Sequence, residues 1–178
     1  MSEAAVQQLT TAESKQVWDR FDNAFTFRPS MYQFPAITEP TDSITWSLQA
    51  LEDDPRHRKL DTLVTLIHGA LAACTAPGNT LLLLEWQHTS YRLRPDQPPT
   101  DIFLPDAPEA SPGWPRSPYP DGDYPILLAE DFTYGTFGHP WEHSLCLFGA
   151  NLLAAAADEI NSLLKHTLRR AGRPVPNG

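Results

Sequence analysis

One histidine and glutamate pattern in this chain has the spacing of a zinc peptidase site. The segment His139-Pro140-Trp141-Glu142-His143 matches H-x-x-E-H, in which two histidines one helical turn apart bind zinc and the glutamate acts as a general base. Pro140 follows the first histidine and Gly138 precedes it, so the helix that such a site needs has little room. We therefore predict a turn in which Trp141 packs and His139 and Glu142 bond to backbone groups. A zinc pair at His139 and His143 is the alternative.

A second polar cluster lies where an apolar run ends. It contains Glu85, Trp86, Gln87 and His88, together with Tyr91. The residues before it, 80–86, include four consecutive leucines and predict a strand that is buried on both faces. If His88 met His139 in space, two imidazoles and Glu142 would form an acid–base site. Otherwise His88 bonds to a loop carbonyl at the strand end.

Other catalytic patterns are weaker or missing. Cys146 could serve as a nucleophile beside His139 or His143, but its apolar neighbours predict that it is buried. The chain has no phosphate-binding glycine loop, no nucleophile elbow and no dinucleotide fingerprint. We therefore expect no cofactor, and we lean towards a protein that is not an enzyme.

The spacing of apolar residues predicts three helices and five strands. Helical periodicity covers residues 11–25, 55–74 and 150–170, and the third helix ends in Lys165, His166, Arg169 and Arg170. Strand patterns cover residues 43–48, 80–86, 124–130, 132–137 and 144–148. Because the later strands follow one another without helices between them, we expect an α+β domain with a mostly antiparallel sheet flanked by three helices. We predict one domain at residues 11–170, with flexible ends at 1–10 and 171–178.

A proline-rich loop interrupts these elements. The chain has 18 prolines, and ten of them lie among the 31 residues 95–125, which excludes a helix there. Prolines restrict the conformations that a loop loses on docking. We therefore predict that this loop contacts a partner, with Trp114 and Tyr119 as aromatic anchors and Asp121 and Asp123 as acidic contacts.

Charge and hydropathy exclude several functional classes. The 178 residues carry a formal net charge of -9, which argues against nucleic-acid binding because affinity for phosphates comes mainly from Lys and Arg. No stretch approaches the roughly 20 apolar residues that span a bilayer, and the first ten residues do not resemble a signal peptide. We expect a cytoplasmic protein that does not bind membranes, with Cys74 and Cys146 as free thiols.

Several motifs along the chain resemble a known bacterial family. They are Trp18-x-x-Phe21-Asp22-x-x-Phe25-x-Phe27-x-Pro29-Ser30, Trp86-Gln87-His88-x-x-Tyr91, Gly122-Asp123-Tyr124, Gly135-Thr136-Phe137-Gly138-His139-Pro140-Trp141-Glu142 and Phe148-Gly149. Together they resemble the family catalogued as domain of unknown function 2716, over about residues 15–168. The resemblance implies a bacterial cytoplasmic single domain and carries no activity. In that family the position of His143 is commonly not histidine, which argues against the zinc pair.

The general character of the chain is similar to that of immunity proteins, which neutralise toxins. A charge of -9 would speed association with a basic toxin. We therefore expect a binding protein that acts through protein–protein contact, with an immunity protein whose toxin partner is encoded nearby as its specific form. The alternative is a small-molecule or metal-assisted enzyme that uses His88, His139 and Glu142.

Overall fold

In the part of the chain that the structure describes, nine strands form one antiparallel sheet, and three α-helices pack on its two faces. The structure, a computed structural model, describes residues 5–97 and 114–176. The strands are β1 (Val6–Gln8), β2 (Ser43–Ser47), β3 (Leu81–Glu85), β4 (Tyr91–Leu93), β5 (Pro125–Ala129), β6 (Gly135–His139), β7 (Ser144–Phe148), β8 (Thr167–Arg170) and β9 (Arg173–Pro174). The helices are α1 (Thr11–Phe25), α2 (Arg58–Cys74) and α3 (Ala150–Leu164). Strand order is β1-β4-β3-β5-β6-β7-β2-β8-β9, which confirms the predicted α+β fold.

The apolar strands in the middle of the sheet bury both of their faces. Leu81 and Leu83 of β3 pack with α2 and α3, whereas Leu82 and Leu84 pack with α1. Side chains alternate between the faces of a strand, so a run of four leucines supplies two cores at once. Both helical layers therefore pack against the leucine run, one on each face.

Helix boundaries follow their capping chemistry. Thr10 caps α1, because its hydroxyl accepts a hydrogen bond from the Glu13 amide while the Glu13 carboxylate accepts one from the Thr10 amide. The second helix starts at Arg58 rather than at residue 55, because His57 adopts a left-handed conformation with φ of 53°. Asp54 accepts a hydrogen bond from the Lys59 amide at 2.7 Å and holds this start in place.

The third helix is shorter than predicted. It ends at Leu164, where Lys165 turns to φ of 63° and caps it. The next residues form β8, which pairs with β2 through Thr45↔Arg169. The prediction of a basic helix end at Lys165–Arg170 was therefore wrong. The alanine- and leucine-rich sequence favours a helix locally. If the helix continued, however, one row of backbone groups of β2 would have no partners, and the pairing of β8 supplies them.

Both predicted flexible ends contain short strands. Val6–Gln8 pairs with Tyr91–Leu93, and Arg173–Pro174 pairs with Arg169 and Arg170. Backbone pairing at a sheet edge needs no apolar pattern, so these strands leave little trace in the sequence. Of the predicted proline-rich loop 95–125, residues 98–113 lie outside the described residues. Within the described ranges, no helix is both long enough and apolar enough to cross a membrane.

Candidate binding site

Five large hydrophobic side chains are exposed at one end of the sheet, on the face that carries α1. We call them the aromatic surface: Met31, Tyr32, Phe34, Trp86 and Trp141. The buried rings of Tyr124 and His139 connect three of them. Trp86 and Trp141 lie 5.8 and 5.6 Å from the Tyr124 ring, and Phe34 lies 4.8 Å from the His139 ring. Trp86, Trp141 and Phe34 are thus joined through two buried rings, and Met31 and Tyr32 lie on the segment just before Phe34.

Strand register brings these segments to the same end of the sheet. Glu85 pairs with Pro125 and Ile126 pairs with Phe137, so Trp86, Tyr124 and His139 all lie where their strands meet that end. The Tyr124 hydroxyl donates to the Ser30 carbonyl at 3.1 Å and accepts from the Ser30 amide at 2.9 Å. Through this pair of bonds the sheet holds the segment that carries Met31, Tyr32 and Phe34.

His139 lies beneath Phe34 with one ring nitrogen unpaired. Its Nδ1 accepts a hydrogen bond from the Glu142 amide at 3.2 Å, which leaves the proton on Nε2. That Nε2 is buried and has no hydrogen-bond partner among residues 5–97 and 114–176. Burial lowers the pKa of His139 to about 4, with Glu142 opposing the change and Arg169 adding to it. The imidazole is therefore neutral at physiological pH, and the predicted bond between His139 and a backbone group is present.

The H-x-x-E-H pattern lies in a hairpin turn between β6 and β7. His143 has φ of 54°, and its Nδ1 pairs with the Glu52 carboxylate at 3.1 Å. Without a helix, the two histidines do not share one helix face. The alternative zinc pair at His139 and His143 is therefore not assembled in the way that its sequence pattern requires.

Glu142 belongs to a buried charge network centred on Arg169. The Arg169 guanidinium donates to both oxygens of Glu142, each at 2.7 Å, and to Glu39 at 2.9 to 3.1 Å. Thr45 and Ser144 donate to Glu39 and Glu142 respectively. Sequence reasoning missed this network because it placed Arg169 in a helix, and only the β2–β8 pairing directs its side chain towards these carboxylates.

His88 belongs to a separate cluster with Glu85 and Asp123. Its Nδ1 lies 2.8 Å from Asp123 Oδ2 and 3.5 Å from Glu85 Oε2, so it bonds to carboxylates rather than to a loop carbonyl. No hydrogen bond, ion pair or ring contact within residues 5–97 and 114–176 joins His88 to His139 or Glu142. The structure thus brings His139 and Glu142 together and leaves His88 with other partners.

Donor atoms of Glu85, His88 and Asp123 lie within 4.8 Å of one another, and no other described group of three or more His, Cys, Asp or Glu side chains does so. This cluster is the part of the described chain that could hold a metal ion. Burial raises the pKa of the Glu85 carboxyl, although the charges of Arg116 and His88 oppose the rise.

The four residues predicted as partner contacts differ in their surroundings. Trp114 is half-buried and stacks on His68, with ring centroids 4.1 Å apart and planes at 6°. Tyr119 is half-buried against His143. Asp121 is exposed, but Asp123 is 1% exposed and accepts hydrogen bonds from backbone amides. The side chain of Asp123 therefore faces inward, contrary to a surface role, because the turn before β5 needs an acceptor for those amides.

The comparisons with known proteins agree with the motifs. The family model described as "Protein of unknown function (DUF2716)" matches residues 8–153. The protein named "Uncharacterized protein YxiI", from Bacillus subtilis (strain 168), is 34% identical over 152 residues, which are 83% of this chain and 89% of that relative. No solved structure matches the chain.

Proposed function

The chain belongs to the DUF2716 family, and we propose that it is a binding protein that docks a basic protein partner on its aromatic surface. The observation that carries this proposal is the aromatic surface itself. Tyr32 is 86% exposed, and Trp86 and Trp141 are 42% and 38% exposed. Large contiguous apolar patches on a protein surface mark interaction sites, and tryptophan and tyrosine dominate binding energy at interfaces.

Acidic groups beside the aromatic surface favour a basic partner. Asp121 is exposed next to the Asp123 turn, and Glu52 pairs with His143 in the turn that carries Trp141. The formal net charge of -9 points the same way, because complementary charge raises association rates.

A hollow beside Trp86 suits a cationic side chain. Trp18, Asp22, Phe27, Pro29 and Trp86 line a volume of about 340 Å³. The exposed Asp22 carboxylate provides a counter-charge, and indole faces attract Lys and Arg through cation–π contacts. We propose that a Lys or Arg of the partner enters this hollow while Trp141 and Phe34 cover neighbouring partner surface.

The specific form that we propose is an immunity protein that neutralises a basic toxin encoded beside it. The support is physical. Acidic side chains of this protein can occupy a site on the toxin that is built for phosphate, and by covering that site this protein would block it. The family and its relative add no function to this argument.

Binding of the neighbouring gene's product tests the proposal. We expect Trp86→Ala and Trp141→Ala each to weaken the interaction by about 30-fold or more, as loss of about 2 kcal/mol at an interface anchor does. Asp22→Lys should weaken it too, whereas the matched charge reversal Glu159→Lys, in the hollow between α2 and α3, should not. Biolayer interferometry measures the affinities, and circular dichroism confirms that each variant folds.

Two results would contradict different parts of the proposal. If the neighbouring product neither binds this protein nor loses toxicity in its presence, the immunity function is wrong. If the product binds but the tryptophan variants bind equally well, the aromatic surface is not the interface.

A further inference from the structure

We propose that Glu85, His88 and Asp123 form a binding site for a divalent transition-metal ion with the ligand preferences of Zn²⁺. Glu85 ends β3, His88 lies in the turn that follows, and Asp123 precedes β5. One imidazole and two carboxylates suit zinc, which accepts nitrogen and oxygen donors together, better than magnesium or calcium, which prefer oxygen alone.

The donor atoms are close to the spacing that a bound ion requires. Zinc to ligand distances of roughly 2.0 to 2.2 Å in a tetrahedron place donor atoms about 3.4 Å apart. His88 Nδ1 lies 3.5 Å from Glu85 Oε2 and 2.8 Å from Asp123 Oδ2, and all three donors lie within 4.8 Å of one another. Shifts of side-chain atoms by about 1 Å would complete the three contacts.

Surrounding groups already hold the carboxylates in place. The Gln87 amide donates to Asp123 Oδ2 at 2.8 Å, and the Tyr124 amide donates to Oδ1 at 2.7 Å. Arg116 pairs with Glu85 Oε2 at 3.0 Å. Partners of this kind orient ligands around a metal and strengthen its binding. The side chain of His88 is 51% exposed, so the remaining coordination positions face solvent and suit water.

The charge of the cluster favours a cation. Glu85 and Asp123 bring two carboxylates, Arg116 pairs with Glu85 at 3.0 Å, and the Asp121 carboxylate lies close by. His88 Nδ1 lies between the two carboxylates, 2.8 Å from Asp123 and 3.5 Å from Glu85, where a proton on that nitrogen is donated to Asp123. A metal ion bound to Nδ1 would take the place of that proton, and the tautomer that binds the ion carries its proton on Nε2.

Calorimetric titration of the full chain with Zn²⁺ tests this proposal. We expect one site per chain, and we expect His88→Ala to weaken binding by about tenfold or more. The matched control is His166→Ala, which removes another exposed histidine and should leave the affinity unchanged. Equal affinity of wild type and His88→Ala would overturn the proposal, as would failure of the wild type to bind Zn²⁺. Because His88 is exposed, this variant should fold, and Asp123→Asn adds a test of the buried ligand.

Nitrogen NMR of the imidazole rings gives a second readout. Without metal, we expect the proton of His88 on Nδ1, where it donates to Asp123. Binding of Zn²⁺ through Nδ1 should move that proton to Nε2. A His88 ring that keeps its proton on Nδ1 in saturating Zn²⁺ would overturn the assignment. These measurements use the chain alone, so their outcome is independent of the partner proposed for the aromatic surface.

Discussion

Replacing Arg169 tests the buried charge network. Arg169 is 8% exposed and Glu39 is 9% exposed, and Glu142 takes both of its bonds from the same guanidinium. Arg169→Met keeps an extended apolar side chain in place but removes the cation, so two carboxylates lose their counter-charge. Breaking a buried ion pair by removal of one partner costs about 3 to 5 kcal/mol. In a chain of this size 1 kcal/mol lowers Tm by roughly 2 to 4 °C, so we expect a fall of about 6 to 20 °C.

Glu142→Gln should cost less than Arg169→Met. It leaves one carboxylate, Glu39, opposite one guanidinium, so no charge is left without a partner. Loss of hydrogen bonds to a charged group costs about 1.5 to 3 kcal/mol. The order of the two variants is thus a direct test of whether Arg169 compensates both carboxylates.

Dependence on pH separates this mechanism from a simple packing defect. Burial acts to raise the pKa of Glu142, but hydrogen bonds from Arg169 and Ser144 outweigh it and hold the pKa below its usual value. In the wild type this stabilisation is complete above about pH 4.5 and is lost as pH falls further. In Arg169→Met the burial of Glu142 acts without the opposing guanidinium, so the pKa of its carboxyl should rise and the variant should gain stability relative to wild type as pH falls. The difference in unfolding temperature between wild type and Arg169→Met should therefore become smaller as pH falls from 7 to 5.

Thermal unfolding followed by circular dichroism measures these changes. Arg170→Met is the matched control, because Arg170 is the next residue of β8 and is exposed. If Arg169→Met unfolds at the same temperature as Arg170→Met, or if its deficit is the same at pH 7 and pH 5, the reasoning is wrong.

Two further predictions concern glycine and histidine. Gly69 lies in α2, and a Cβ added there would meet open space, so Gly69→Ala should raise stability by about 0.5 to 1 kcal/mol. Gly149→Ala should instead lower stability, because the φ of Gly149 is 101° and an added Cβ would lie 2.4 Å from the Cβ of Tyr134. Denaturant titration checks both, and equal effects of the two variants would contradict the argument. Burial lowers the pKa of His68 and of His139 to about 4, so the unfolded chain binds more protons than the folded chain between about pH 6.5 and 4. The free energy of unfolding should fall as pH falls through that window. His68→Gln or His139→Phe should each reduce the slope of that free energy against pH by up to about 1.4 kcal/mol per pH unit. Unfolding midpoints measured across the window check this, and unchanged slopes would show that these histidines are protonated in the fold.

Patterns of burial along the chain predicted the central elements. The stripe Val17, Phe21 and Phe25 lies on the buried side of α1, and the leucine run forms β3. These elements are long or apolar enough that the hydrophobic effect alone selects their conformation. The α+β fold followed from their order along the chain.

Features that depend on tertiary partners could not be predicted in the same way. β8 has the local sequence of a helix end and is a strand because β2 pairs with it. Trp114, predicted as a partner anchor, is half-buried and stacks on His68, a contact between residues 46 positions apart in sequence that no local pattern could show. In the sequence alone, Trp86 and Trp141 cannot be told apart from tryptophans of the core. Only strand register places them at the open end of the sheet.

Side-chain ion pairs hold the turn that carries Trp141, which bears on the binding role proposed for it. Arg169 holds Glu142, and Glu52 pairs with His143, so the two residues that follow Trp141 in the turn are fixed by side-chain contacts. Such networks contribute less to stability than apolar packing of the same volume would, so stability alone does not account for this one. Fixing the turn lowers the entropy that Trp141 would lose on contact with a partner, and a preorganised anchor binds more tightly. The network around Arg169 thus holds the turn that presents the exposed Trp141 of the aromatic surface.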